Sequence, residues 1–265
     1  MKKLVCTLIV MLFLWLTNAF ADISAPEIIK ESWHRYRLLN TEKEKLELAI
    51  TYKKGRKRHC SLVRYTRFSL KKEDKILLFF QAPAYDRGIG VLTWRKAEGN
   101  SDQWLYFPAT KRVRRISASK QGQYFGGTGY QSDFTYEDIR QLIGERMSDF
   151  DYKFSGEDND EQYIIIAMPK PETKTSYGQR KIWIRKTDYV ILQVDYFDKK
   201  DHLIKTQTNS RFVLEKSGLW RPKKVEMENF SKKRKTVLVF VSRDINPKLK
   251  NGIFTKRFLD KGQWE

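Results

Sequence analysis

The residues best suited to metal ligation or nucleophilic attack are three histidines, His34, His59 and His202, and two cysteines, Cys6 and Cys60. They are widely separated, and a zinc centre needs about four such ligands brought together by close spacing. No metal and no cofactor are therefore expected. The chain has no Gly-x-Ser-x-Gly elbow, no phosphate-binding loop and no His-Glu-x-x-His helix. Gly122 to Gly126 neither follow an apolar parallel strand nor lead a dinucleotide-binding helix, and Asp158 and Asp160 sit in a polar turn as solvated charges. What stands out instead is Trp104-Leu105-Tyr106-Phe107-Pro108, followed by Lys111-Arg112-Val113-Arg114-Arg115-Ile116 and then Ser132-Asp133-Phe134-Thr135-Tyr136-Glu137-Asp138. No pattern in the chain rises to that of an enzyme.

The chain carries 52 Lys and Arg against 32 Asp and Glu in 265 residues. With 40% hydrophobic residues, 16 Phe, 13 Tyr and 7 Trp, it has enough apolar material to bury a core. Residues 1–21 have the three regions of a secretory signal peptide: Lys2 and Lys3, an apolar run from Leu4 to Leu16, and Ala19-Phe20-Ala21 before Asp22. Cleavage there would leave residues 22–265 as one domain with a charge of +18 and Cys60 without a partner. Cys6 precedes most of the apolar run, so lipidation there is not expected. Export removes nucleic acid from the expected partners and puts anionic membrane surfaces in its place.

Ser24-Ala25-Pro26-Glu27 has the form of a capping box, with Ile29, Trp33 and Tyr36 on one face of a helix behind it. From Lys45 the period changes to two, with Leu46, Leu48, Ile50 and Tyr52 on one side. Further strands are expected at about 58–68, 75–80, 88–95, 102–107 and 112–116. A second series is expected at about 161–168, 180–186, 189–197, 202–214, 219–229 and 235–243. Turn residues such as Lys53-Lys54-Gly55 and Lys216-Ser217-Gly218 join neighbours into antiparallel meanders. Between about 117 and 150 lies an insertion with Gly122, Gly126, Gly127 and Gly129, and with a short helix expected over 134–142.

The three central segments, in that order and spacing, resemble the LolA-like outer-membrane lipoprotein-sorting proteins, in the branch found with RND/MMPL-type inner-membrane transporters. Leu219-Trp220-Arg221-Pro222, Thr236 and Phe254-Thr255 with Arg257 and Leu259 agree, so the resemblance covers most of the mature chain. It implies a mainly β fold, an incomplete antiparallel β-barrel of about eleven strands with a few covering helices. It also implies a periplasmic protein that shields the acyl chains of a lipid or a lipidated protein, working with such a transporter. An alternative on the same fold is an envelope sensory or regulatory binding module.

A sheet curved around helices leaves an apolar gap where its inward side chains do not fill the space. Leu78, Phe80, Leu92, Trp94, Trp104, Tyr106, Ile182 and Ile184 are the candidate lining of such a cavity. Arg112, Arg114 and Arg115 are candidates for meeting a lipid head group or a partner. Arg114 and Arg115, as neighbours on a strand, must face opposite ways.

Overall fold

The structure, a computed structural model, describes residues 23–69, 73–96 and 101–261. The expected signal peptide lies outside them. Helix α1 (Ala25–Tyr36) opens as its sequence suggests: the Ser24 backbone N–H and hydroxyl both donate to Glu27 Oε2, at 2.9 and 2.6 Å. Ile28 and Ile29 on its inner side are wholly buried, each worth about 2 kcal/mol in docking the helix.

Thirteen strands follow: β1 (Thr41–Thr51), β2 (Lys57–Arg67), β3 (Glu73–Ala82), β4 (Gly90–Lys96), β5 (Asp102–Phe107), β6 (Arg112–Ile116), β7 (Phe150–Phe154), β8 (Gln162–Pro169), β9 (Gln179–Arg185), β10 (Ile191–Phe197), β11 (Leu203–Leu214), β12 (Trp220–Asn229) and β13 (Arg234–Ile245). All pair antiparallel in one sheet, ordered β6-β5-β4-β3-β2-β1-β13-β12-β11-β10-β9-β8-β7. The two edges, β6 and β7, do not meet, so the barrel is incomplete. The expected strands are all present, and β7 is an addition to them.

This order explains the insertion. The first six strands march outward from β1, the last seven march back to lie beside it, and the chain between them must travel from one edge of the sheet to the other. Residues 117–149 make that journey across the inner face and carry α2 (Tyr136–Gln141). Phe125 packs on Phe80 with ring centroids 5.3 Å apart, and Phe125 exchanges backbone bonds with Phe134 and Ser132. At Gly126 a side chain would collide with the Tyr130 carbonyl, so the tight fold of this loop needs glycine there.

The acids of the central motif fasten the insertion down. Asp133 accepts from Arg234 Nε and the Thr236 hydroxyl, both at 2.7 Å. Asp138 caps α2 at the Thr135 N–H and accepts from the Tyr177 hydroxyl and from Lys205 Nζ at 2.5 Å. Glu137 holds the Thr175 hydroxyl and the Ser176 N–H. The motif is therefore a clamp between α2 and strands β11 and β13.

The inner face holds the larger core, shared by α1, the insertion and nearly every strand. The outer face of β2–β5 is covered by the C-terminal segment, where Phe254 and Leu259 of α3 and the turn before it (Lys256–Lys261 and Asn251–Phe254) bury completely. Glu42 and Glu44 of β1 occupy inward positions that the strand's period would give to apolar residues. Arg64, Arg221 and Arg243 surround them: Arg64 Nε reaches Glu44 at 2.5 Å, Arg243 Nε at 2.8 Å, and Arg221 Nε reaches Glu42 at 3.4 Å. Burial and the adjacent Glu44 push the Glu42 carboxyl up, whereas at Glu44 the two arginines outweigh burial and hold it down. Arg221 also donates to the Tyr36 carbonyl and lies 3.8 Å from its ring, which ties the end of α1 to this cluster.

Candidate functional site

Between α1, α2 and strands β9–β13 is a cavity of about 450 Å³, within the range of small-molecule sites. Its walls are apolar where β9, β10, β12 and β13 contribute Ile182, Val194, Val225 and Phe240, and where the helices contribute Trp33 and Leu142. Alternation explains the set: Val194 pairs with Ile182 across β9 and β10 and with Gln207 across β10 and β11, so these three side chains share the inner face. α1 crosses the sheet here without its side chains filling the space beneath.

One end of the cavity is polar. Arg180 pairs with Glu145 and donates to Gln141 at 3.2 Å, with its guanidinium 4.2 Å from the Phe150 ring. Burial alone would pull Arg180 down, but Glu145 outweighs it and keeps the guanidinium charged. The Tyr152 hydroxyl donates to Glu145 at 2.9 Å, and Tyr196 to Gln207 at 3.1 Å. Burial pushes both phenols up, so they stay protonated. These groups satisfy one another and give the cavity a polar end that a head group can lie against. The other end opens between the α1 terminus and the β11–β12 hairpin. There Leu38 and Trp220 line the cavity while 49% and 38% exposed. Leu214, cross-strand partner of Trp220, is 57% exposed. The mouth thus has an apolar rim.

Of the eight residues expected to line a cavity, Ile182 does so. Leu78, Phe80 and Ile184 face inward but are buried in the core and are not among the residues that line the cavity. Leu92, Trp94, Trp104 and Tyr106 require a correction, because they lie on the opposite face of the sheet. Register decides it: Leu77 pairs with Leu92, and Leu92 with Trp104, so these three share the outer face, while Leu78, Val91 and Leu105 share the inner one. Trp94 stacks edge-on with Trp104 at 4.9 Å and donates to the Phe254 carbonyl at 3.0 Å. Arg112, Arg114 and Arg115 also lie away from the cavity, at the β6 edge, where Arg115 pairs with Asp102. The mouth residues Leu219, Trp220 and Pro222 belong to a segment that carried the family resemblance, and that resemblance was the available pointer to the site.

Among solved structures, the chain is similar to a domain from Vibrio parahaemolyticus assigned to outer membrane lipoprotein sorting. Identity is 24% with a TM-score of 0.80, over 89% of this chain and 98% of that one. A DUF1329 family protein from Desulfovibrio piger matches at 27% identity and a TM-score of 0.77, over 87% and 98%. A LolA superfamily protein from Nitrosomonas europaea matches at 16% and 0.68, over 89% and 99%. No curated protein matches. Among the described residues no helix is long and apolar enough to cross a membrane. The family model that matches covers residues 72–261, well over half of the chain, and is described as that of an uncharacterized protein. The chain belongs to that family, and it shares the fold of these three solved structures, an open antiparallel sheet wrapped around helices.

Proposed function

We propose that the protein is a periplasmic carrier that shelters the acyl chains of a lipid or lipidated protein in the cavity beneath α1. The observation that carries this reading is an apolar space with a rimmed mouth at one end and a satisfied polar cluster at the other, the shape of an amphipathic ligand. About ten methylenes at about 0.8 kcal/mol each would contribute about 8 kcal/mol, or micromolar affinity before ordering costs. Binding of that strength suits a carrier that must release its load.

The charge of +18 left after removal of residues 1–21 supports approach to anionic lipid surfaces, and the resemblance supports an RND/MMPL-type transporter as the partner that loads or unloads it. Residues 22–265 act as a single unit in this reading. The protein binds and does not catalyse. Delipidated protein titrated with a fluorescent fatty acid is expected to saturate at one site in the micromolar range. Failure to take up any acyl probe would overturn the proposal.

A further inference from the structure

The strand at one free edge of the sheet, β6, carries cations on both of its faces. Arg115 pairs with Trp104 on the outer face, whereas Arg112 and Arg114 pair with Phe107 and Leu105 on the inner one. Beside it runs an open groove of about 750 Å³, which Trp104 and Val113 line together with these arginines, Lys111, and Lys256 and Arg257 of α3. Asp260 is the acid in that lining. Arg115 is paired with Asp102, and Lys256 sits 5.4 Å over the Trp104 ring. Lys111, Arg112, Arg114 and Arg257 have no acidic partner among the described residues.

Charges along a free edge keep a second copy of the same edge from pairing, because like charges would fall opposite one another. The same pattern favours an incoming strand of opposite sign. Side chains of an added strand alternate between the two faces, and β6 offers cations to both. A flat anionic surface would need them on one face only. We propose that β6 and its groove accept an acidic, extended segment of a partner protein, joined to the edge by main-chain hydrogen bonds and held by Lys111, Arg112, Arg114 and Arg257. β6 has five residues, so the segment pairs over about that length. The groove shares no lining residue with the acyl cavity, and the inference stands apart from the carrier reading.

The test is calorimetric titration with a blocked acidic peptide, Thr-Glu-Glu-Val-Glu-Glu-Thr, alongside an analogue with proline at its centre. Saturable binding is expected, weakened about tenfold or more by the proline, which removes a main-chain donor, and about tenfold or more by Arg112→Glu with Arg114→Glu. These side chains are exposed, so circular dichroism and fatty-acid uptake should be unchanged in that variant. Absence of saturable peptide binding would overturn the proposal. So would equal binding of the proline analogue, which would reduce the site to a charged patch. Capture on phosphatidylglycerol vesicles that depends on Arg112 and Arg114, without peptide binding, would make a membrane the occupant.

Discussion

Replacing Val194 by tryptophan tests whether the space beneath α1 is where an acyl chain lies. Val194 is 6% exposed, faces the cavity and has Ile182 as its cross-strand partner. A volume of about 450 Å³ equals about 15 water-sized groups at about 30 Å³ each, enough for about ten methylenes and part of a head. An indole at this position would displace about four methylenes, about 3 kcal/mol of transfer free energy, and so weaken binding about a hundredfold. The assay is displacement of a fluorescent fatty acid from delipidated protein, with thermal unfolding of the same samples. If the space is real, the indole enters it and the empty variant melts no lower than the native chain. If it were filled, overpacking would cost about 1–3 kcal/mol and lower the melting temperature. Val225→Trp, on the neighbouring wall, provides an independent copy of the experiment. Unchanged affinity in both well-folded variants would refute the assignment of the site.

Bromine on an acyl chain should quench the fluorescence of Trp33 and Trp220, which line the cavity, and leave Trp94 and Trp104 on the outer face untouched; single-tryptophan variants read this directly, and quenching of the outer pair alone would put the acyl chain on the outer face instead. Lys205→Met leaves Asp138 buried without its cation, so urea unfolding should show a loss of about 3–5 kcal/mol; a loss under about 1 kcal/mol would remove the clamp role given to the central motif. Burial pushes the Cys60 thiol up to about 12, so the folded chain should resist alkylation at pH 8. A raised thiol stabilises the fold below its unfolded value and loses that contribution as pH climbs towards about 12. The urea midpoint of the native chain should therefore fall relative to Cys60→Ala from about pH 9 upward, and parallel pH profiles would contradict the burial argument.

Local structure was legible because it is written in local chemistry. The capping box at Ser24 and Glu27, the turn residues between strands and the alternation in β1 each specify a short-range geometry, and the twelve strands they suggest are present. Strand β7 carried a signal that its brevity hid: Phe150, Tyr152 and Phe154 alternate with Asp151 and Lys153. The cavity was harder, because its composition depends on which face each strand turns inward. In β3 the run Ile76-Leu77-Leu78-Phe79-Phe80 is apolar on both faces, so no period reveals its orientation. A one-residue choice of register moves Leu92, Trp94, Trp104 and Tyr106 together to the other side. The outer face is apolar because the C-terminal segment covers it, and α3 has no strong periodic signature in six residues. Glu42 and Glu44 mislead in the opposite sense, since acids at inward positions make sense only once Arg64, Arg221 and Arg243 are brought to them from distant strands.

Native mass spectrometry of the chain secreted and purified without detergent bears most directly on the carrier claim. A species heavier than the polypeptide by the mass of one acyl-bearing ligand is expected, which delipidation removes, incubation with a fatty acid restores, and Val194→Trp fails to retain. A bare polypeptide mass that stays bare after incubation with fatty acid and phospholipid would contradict that claim.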